Sequence, residues 1–207
     1  MRNYQQSVGF ELREVDIARG GDLIVTGINL KVLPGDIIQL FGRNGSGKTS
    51  LLQVIAGLTP KSGGDILWKV NEKSITPKRP AQLISFIGHN VPLKLALSGG
   101  ENLQYWAELY NADYGEIYSL LEHVNLSHVE TKPAGRYSAG QKRRLDLARC
   151  LLAKRPLWFL DEPTSSLDES SRALWTQEIK AHQRKGGCAI IGTHDRLDVS
   201  SRDIHLG

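Results

Sequence analysis

Gly-Arg-Asn-Gly-Ser-Gly-Lys-Thr, Gly42 to Thr49, carries the most definite chemistry in this 207-residue chain. A glycine, a four-residue gap and a Gly-Lys-Thr ending form the spacing of a phosphate-binding loop. Glycines let the backbone curl until successive N–H groups face one anion. The positive end of a following helix adds to that field. Lys48 would reach the β- and γ-phosphates of a nucleotide, and Thr49 would offer its hydroxyl to Mg²⁺. The expected contact set is Gly42, Asn44, Gly45, Ser46, Gly47, Lys48, Thr49 and Ser50. Leu157 to Pro163, Leu-Trp-Phe-Leu-Asp-Glu-Pro, supplies the matching acid. Asp161 leaves an apolar run where it could hold the Mg²⁺ hydration shell. Glu162 follows, where a carboxylate could orient and polarise an attacking water. His194, after the apolar Cys188–Gly192, would contact the γ-phosphate and that water, because strand ends in such sheets converge on one crevice.

These side chains need strands and helices to hold them. Residues 10–33 read as two strands around a Gly20-Gly21-Asp22 turn. Residues 36–41 form a short apolar strand leading into the phosphate loop. Residues 49–58 read as a helix, with Leu51, Leu52, Ile55 and Leu58 at helical spacing. Further strands are expected at 64–68, 83–88, 156–161 and 188–195, with apolar runs that fit burial on both faces. Between them, 101–110, 116–124, 138–153 and 170–187 carry helical stripes. The order implies one α/β nucleotide-binding domain over 1–207, with a mixed sheet core, an antiparallel β part and a helical subdomain at about 99–152.

Two stretches share a second pattern. Leu97-Ser98-Gly99-Gly100-Glu101 and Tyr137-Ser138-Ala139-Gly140-Gln141 each place a serine three residues before Glu or Gln, the spacing of a capping box at a helix start. Only the second continues into cations, Lys142, Arg143 and Arg144, in a first turn where the helix macrodipole disfavours them. An anion ahead of that helix would offset the cost.

In order, the phosphate loop, "YSAGQ", "LWFLDEP", "SSLD" and "GTHD" resemble the ATP-binding cassette (ABC) ATPases over about residues 10–206. The resemblance implies a P-loop NTPase fold, ATP and Mg²⁺ as ligands, and two cassettes facing head to tail. In that family the signature opens a helix running directly into the Asp-Glu strand. Ser138 lies 23 residues before Asp161 and Ser98 lies 63 before it, so "YSAGQ" takes the signature role. Ser138, Gly140 and Gln141 would contact nucleotide on the opposed subunit, and Asp168 would lie on the loop crossing between subunits. "LSGGE" is then a helix cap. Two usual features are absent. No aromatic residue precedes the second strand to stack on adenine, which leaves the Arg19 guanidinium plane. No glutamine follows "FIGH", which leaves Asn90 as the amide that would reach Mg²⁺.

Gly88-His89, Lys94 and Glu101-Asn102-Leu103 resemble the haem-exporter ATPases of cytochrome c maturation. That implies a peripheral ATPase on the cytoplasmic face of a bacterial inner membrane, or the matrix face of a mitochondrial one. It would dock on integral permease subunits and drive release of haem-loaded chaperone. With no CxxCH motif, haem is not expected to bind this chain. The alternatives are an ABC exporter ATPase for another substrate, a soluble ABC protein acting on nucleic acid or ribosomes, or a non-hydrolysing module. The single cassette without a heptad run argues against the nucleic-acid class, and intact Lys48, Asp161, Glu162 and His194 argue against the last. Composition is compatible: 40% apolar, 23% charged, a net charge of +4 that suits an anionic partner, and no Cys pair at redox or zinc spacing. No apolar run reaches the roughly 20 residues that span a bilayer.

Overall fold

A computed structural model describes residues 4, 6–75, 82–165 and 167–207. Strands β1 (Val8–Arg19) and β2 (Asp22–Val32) form a long hairpin about Gly20-Gly21, both at positive φ. With β4 (Gly63–Val70) and β5 (Lys73–Ile75) they make an antiparallel sheet ordered β2-β1-β4-β5. A second sheet is parallel, ordered β6-β7-β8-β3-β9. It contains β3 (Ile37–Phe41), β6 (Ile84–Ile87), β7 (Leu157–Asp161), β8 (Cys188–Gly192) and β9 (Arg202–His205). The antiparallel and parallel parts of the expected core are thus separate sheets.

The chain divides into two compact units. The first comprises Met1–Gly88, Arg155–Glu162 and Glu178–Gly207. Its core joins both sheets to helix α1 (Lys48–Ile55) through Phe10, Leu12, Ile38, Leu40, Leu51, Leu52, Phe159 and Ile190. The central strands β7 and β8 are buried at every position, as their unbroken apolar runs require. Helix α1 stops before Gly57 at φ 72°, so Leu58 is exposed and does not extend the apolar stripe. Strands β5 and β9 are not legible in the sequence. β5 has three residues, and β9 is an edge strand of Arg-Asp-Ile-His with no apolar run.

The second unit comprises His89–Lys154 and Pro163–Gln177. Helices α2 (Gly99–Tyr110), α3 (Ile117–His123) and α4 (Ala139–Ala153) bury Leu103, Trp106, Ala107, Leu121, Leu145 and Ala148. Helix α5 (Glu169–Arg184) begins here and ends in the first unit.

One buried histidine makes the first unit sensitive to acid. The His182 ring stacks on Trp158, centroids 4.1 Å apart. Its Nε2 lies 3.0 Å from the Cys188 carbonyl, so Nε2–H donates there, and Nδ1 accepts from the Tyr4 hydroxyl at 2.6 Å. Burial pushes its pKa down to about 4 from 6.5. The unfolded chain binds this proton first, so the contribution is complete above about pH 6.5 and is lost as pH falls towards 4. It amounts to about 3 kcal/mol. Thermal midpoints recorded from pH 7 to 4 should fall steeply, and His182→Gln should flatten that part of the curve. An equal slope in both proteins would refute the assignment.

Candidate active site

Because β3, β7 and β8 are parallel, their C-terminal ends share one edge of the sheet. β3 delivers the phosphate loop, β7 delivers Asp161 and Glu162, and β8 delivers Thr193 and His194. At the loop, Lys48 is buried and its Nζ donates to the Gly42 carbonyl at 2.6 Å and the Arg43 carbonyl at 3.2 Å. Helix α1 starts at Gly47 with no side-chain cap and no acidic residue in its first turn. A Cβ on Gly47 would lie 2.4 Å from Val25 Cγ2, and one on Gly42 would lie 2.4 Å from Ser46 Oγ and 2.5 Å from the Leu206 carbonyl oxygen. Leu206 N–H itself donates to the Phe41 carbonyl at 2.8 Å. The loop is therefore closed to side chains at Gly42 and Gly47, with an uncapped helix end, and the buried Ser46 Oγ has no partner within it. A phosphate fits these groups. Asn44 and Gly45 are exposed on the loop and Ser50 is half-buried one turn on.

Thr49 Oγ1 donates to Asp161 Oδ2 at 2.8 Å, so two of the three expected metal-site groups meet. Asp161 is buried at the end of β7. The described residues contain no cluster of three or more His, Cys, Asp or Glu side chains. Such a sparse donor set suits Mg²⁺, which keeps several waters and takes the rest of its shell from phosphates.

Glu162 follows at φ 50°, a left-handed conformation uncommon outside glycine, fixed by its N–H donating to the Gly192 carbonyl at 2.8 Å. Its Oε1 lies 3.4 Å from His194 Nε2, an ion-pair distance longer than a good hydrogen bond. Burial raises the Glu162 pKa; His194 and Lys48 oppose that, and Asp161 adds to it. His194 is half-exposed on a turn set by the buried Thr193, whose Oγ1 donates to the Asp195 carbonyl at 2.8 Å and accepts its N–H at 3.2 Å. Buried Gln39 then ties the following segment to β3. Its amide donates to the Leu197 carbonyl and accepts Leu197 N–H at 2.8 Å. Thr193 and Gln39 escape a reading of the sequence for reactive groups. The available signal for Gln39 is a lone amide inside an apolar run.

In the second unit Ser138 is exposed at the start of α4. It accepts from Gln141 N–H at 3.2 Å and donates its own N–H to Gln141 Oε1 at 2.9 Å. Gly140 lies half-buried on the first turn. Ser98 and Glu101 make the same box on α2. One of the three first-turn cations of α4 is accounted for within its own unit. Arg143 is buried, donates to the His89 carbonyl at 3.3 Å and lies 3.9 Å from Asp146, so an anion ahead of the helix is not needed to explain it. Asp168 is exposed and caps α5, accepting from Ser171 N–H at 2.8 Å and Ser170 Oγ at 3.0 Å; these bonds, led by Ser171, hold its pKa below the usual carboxylate value. Asn90 is exposed just after the Arg143-bound His89. Arg19 is exposed at the hairpin end of β1, paired across the ladder with Asp22 and followed by the exposed Leu23.

The ABC transporter family model matches residues 25–165, from β2 through the phosphate loop and both capped helices to Asp161 and Glu162. This chain belongs to the ABC transporter family. It is 40% identical over 195 residues to the cytochrome c biogenesis ATP-binding export protein CcmA of Bradyrhizobium diazoefficiens, covering 94% of this chain and 96% of that one. The protein of that name from Paracoccus denitrificans is 40% identical over 193 residues, 93% of this chain and 86% of its own. Among solved structures, a putative ABC transporter (ATP-binding protein) from Pyrococcus furiosus matches with TM-score 0.82 and 26% identity, over 96% and 97% of the two chains. A dimeric ATP-binding cassette in a post-hydrolysis state, bound to ADP and Pi, matches with TM-score 0.79 at 21% identity over 95% and 94%, a likeness of fold. As an ABC family member, the chain binds ATP.

Proposed function

We propose that this protein hydrolyses ATP as the nucleotide-driven subunit of a membrane-bound cytochrome c maturation complex. One observation carries the chemistry: Lys48, Thr49, Asp161, Glu162 and His194 sit on one sheet edge, with Thr49 bonded to Asp161 and Glu162 beside His194. The curated relatives' cytochrome c biogenesis role supports the setting. The β- and γ-phosphates lie in the Gly42–Ser50 loop with Lys48 on them. Mg²⁺ would be held by Thr49 and, through water, by Asp161, and it would supply charge neutralisation at the transferred phosphate. Glu162 orients and polarises the attacking water, and His194 positions Glu162 and touches the γ-phosphate. Arg19 lies against the adenine.

A second copy completes the site. Ser138 and the Gly140 amide close on the γ-phosphate bound by the opposed chain, with Gln141 acting through the serine it caps and Asp168 at the crossing loop. The same energy drives release of haem-loaded chaperone through integral membrane subunits, with this chain peripheral on the cytoplasmic or matrix face. No helix among the described residues is long and apolar enough to cross a membrane. Affinity purification from detergent-solubilised membranes should recover integral membrane partners with ATPase activity. Recovery with nucleic acid and no membrane protein would overturn the proposal.

A further inference from the structure

The Leu97-Ser98-Gly99-Gly100 turn has no part in the chemistry above, yet the second unit ties it to the stretch that delivers Ser138. Asn102, one turn into α2, is fully buried. Its side chain accepts Lys94 N–H at 2.9 Å and donates to the carbonyls of Lys94, Leu97 and Ser98 at 3.1, 3.2 and 2.8 Å. Those bonds fix residues 94–98, which in turn hold residues 133–135. Ala134 N–H donates to the Leu97 carbonyl at 2.7 Å and Gly135 N–H to the Leu95 carbonyl at 2.8 Å, and Ser98 bridges Pro133. A single 3₁₀ turn then leads to Tyr137 and Ser138. Tyr137 is buried, its hydroxyl donating to the Val129 carbonyl at 2.7 Å. A Cβ on Gly99 would stand 2.6 Å from that hydroxyl oxygen and 3.4 Å from the ring carbon bearing it. Only the oxygen demands a glycine.

A helix cap needs none of this. Ser98 and Glu101 already close the box on α2. The bonds of Asn102 hold residues 94–98, whose backbone grips residues 133–135, and the clearance at Gly99 faces Tyr137; the next residue is Ser138. We propose that Gly99 and Asn102 are positioning residues that set Ser138, through Tyr137 and residues 133–135, for closure on the nucleotide of a second copy. This rests on the role given to Ser138 above.

The test is ATP-dependent dimer formation in the Glu162→Gln protein, by sedimentation, with monomer affinity for a fluorescent ATP analogue and thermal midpoint measured alongside. Gly99→Ala should weaken dimerisation about tenfold at unchanged monomer affinity, the effect of a small misplacement. In a Tyr137→Phe background, which lacks the contested oxygen, Gly99→Ala should have no further effect. Ser98→Ala should lower the thermal midpoint alone. The inference is overturned if Gly99→Ala leaves dimerisation intact, if its effect is the same with Phe at 137, or if Ser98→Ala weakens dimerisation equally. Should Gly99→Ala fail to fold, the double variant decides: folded and dimer-forming supports the inference, and unfolded overturns it. Ser138→Arg separates the layers. If it leaves the dimer intact, the role of Ser138 itself is wrong; if it blocks the dimer while Gly99→Ala does not, only the present inference falls.

Discussion

Glu162→Gln binds ATP, loses hydrolysis by about 100-fold or more, and accumulates as an ATP-bound dimer; that is the largest effect expected of any single change here. The amide keeps the size and the left-handed backbone of Glu162 but cannot accept a proton from water. The pH profile follows from the same environment. Burial raises the Glu162 pKa, with His194 and Lys48 opposing and Asp161 assisting. Activity is therefore present above the raised pKa and declines as pH falls through it, at higher pH than for an ordinary carboxylate. Stability runs the other way, because protonation relieves the buried charge. The Gln variant should thus show a higher thermal midpoint than the parent near neutral pH, and the gap should narrow in acid. Single-turnover rates and midpoints across pH measure both. Unchanged turnover would remove Glu162 from the chemistry.

Ser138→Arg is expected to abolish steady-state hydrolysis, by about 100-fold or more, while each monomer still binds nucleotide with its own phosphate loop. Ser138 is exposed at the N-terminus of α4, which is where an anion from another molecule would arrive. An arginine there fills that approach. It also removes the cap, at a cost of about 1 kcal/mol, small beside the catalytic loss. A titration with labelled ATP and a phosphate-release assay distinguish the two effects. Loss of monomer binding would place Ser138 in its own chain's site and defeat the two-chain arrangement.

The edge proposed as catalytic is legible in the sequence because its determinants are consecutive residues. Gly42–Thr49 needs no tertiary information to define its backbone, and Asp161-Glu162 announces itself by leaving a run that must be a buried strand. The capping boxes at Ser98 and Ser138 are equally local, and both form. What stays hidden depends on partners far along the chain. Arg143 looks like a cation awaiting an anion, until the fold turns it onto Asp146 and the His89 carbonyl. Asn102 looks like one more polar residue beside an apolar stripe, but its buried amide bonds the backbone of Lys94, Leu97 and Ser98. β9 exists only because β3 offers it an edge. Leu58 looks like the last rung of α1, but a left-handed glycine ends the helix before it.

The contact between Leu206 and the phosphate loop matters for anyone who attaches something to this molecule. Gly42 would strike the Leu206 carbonyl if it carried a side chain, and a Cβ on Gly207 would lie 3.5 Å from Ser46 Cβ. A group attached at Leu206 or Gly207 therefore stands beside the loop proposed to hold the phosphates. A small fluorophore there becomes a built-in reporter of nucleotide occupancy, and a bulky fusion becomes an obstruction. Labels meant to be silent belong elsewhere, for example at Tyr118 on the outer surface of α3, which is 62% exposed.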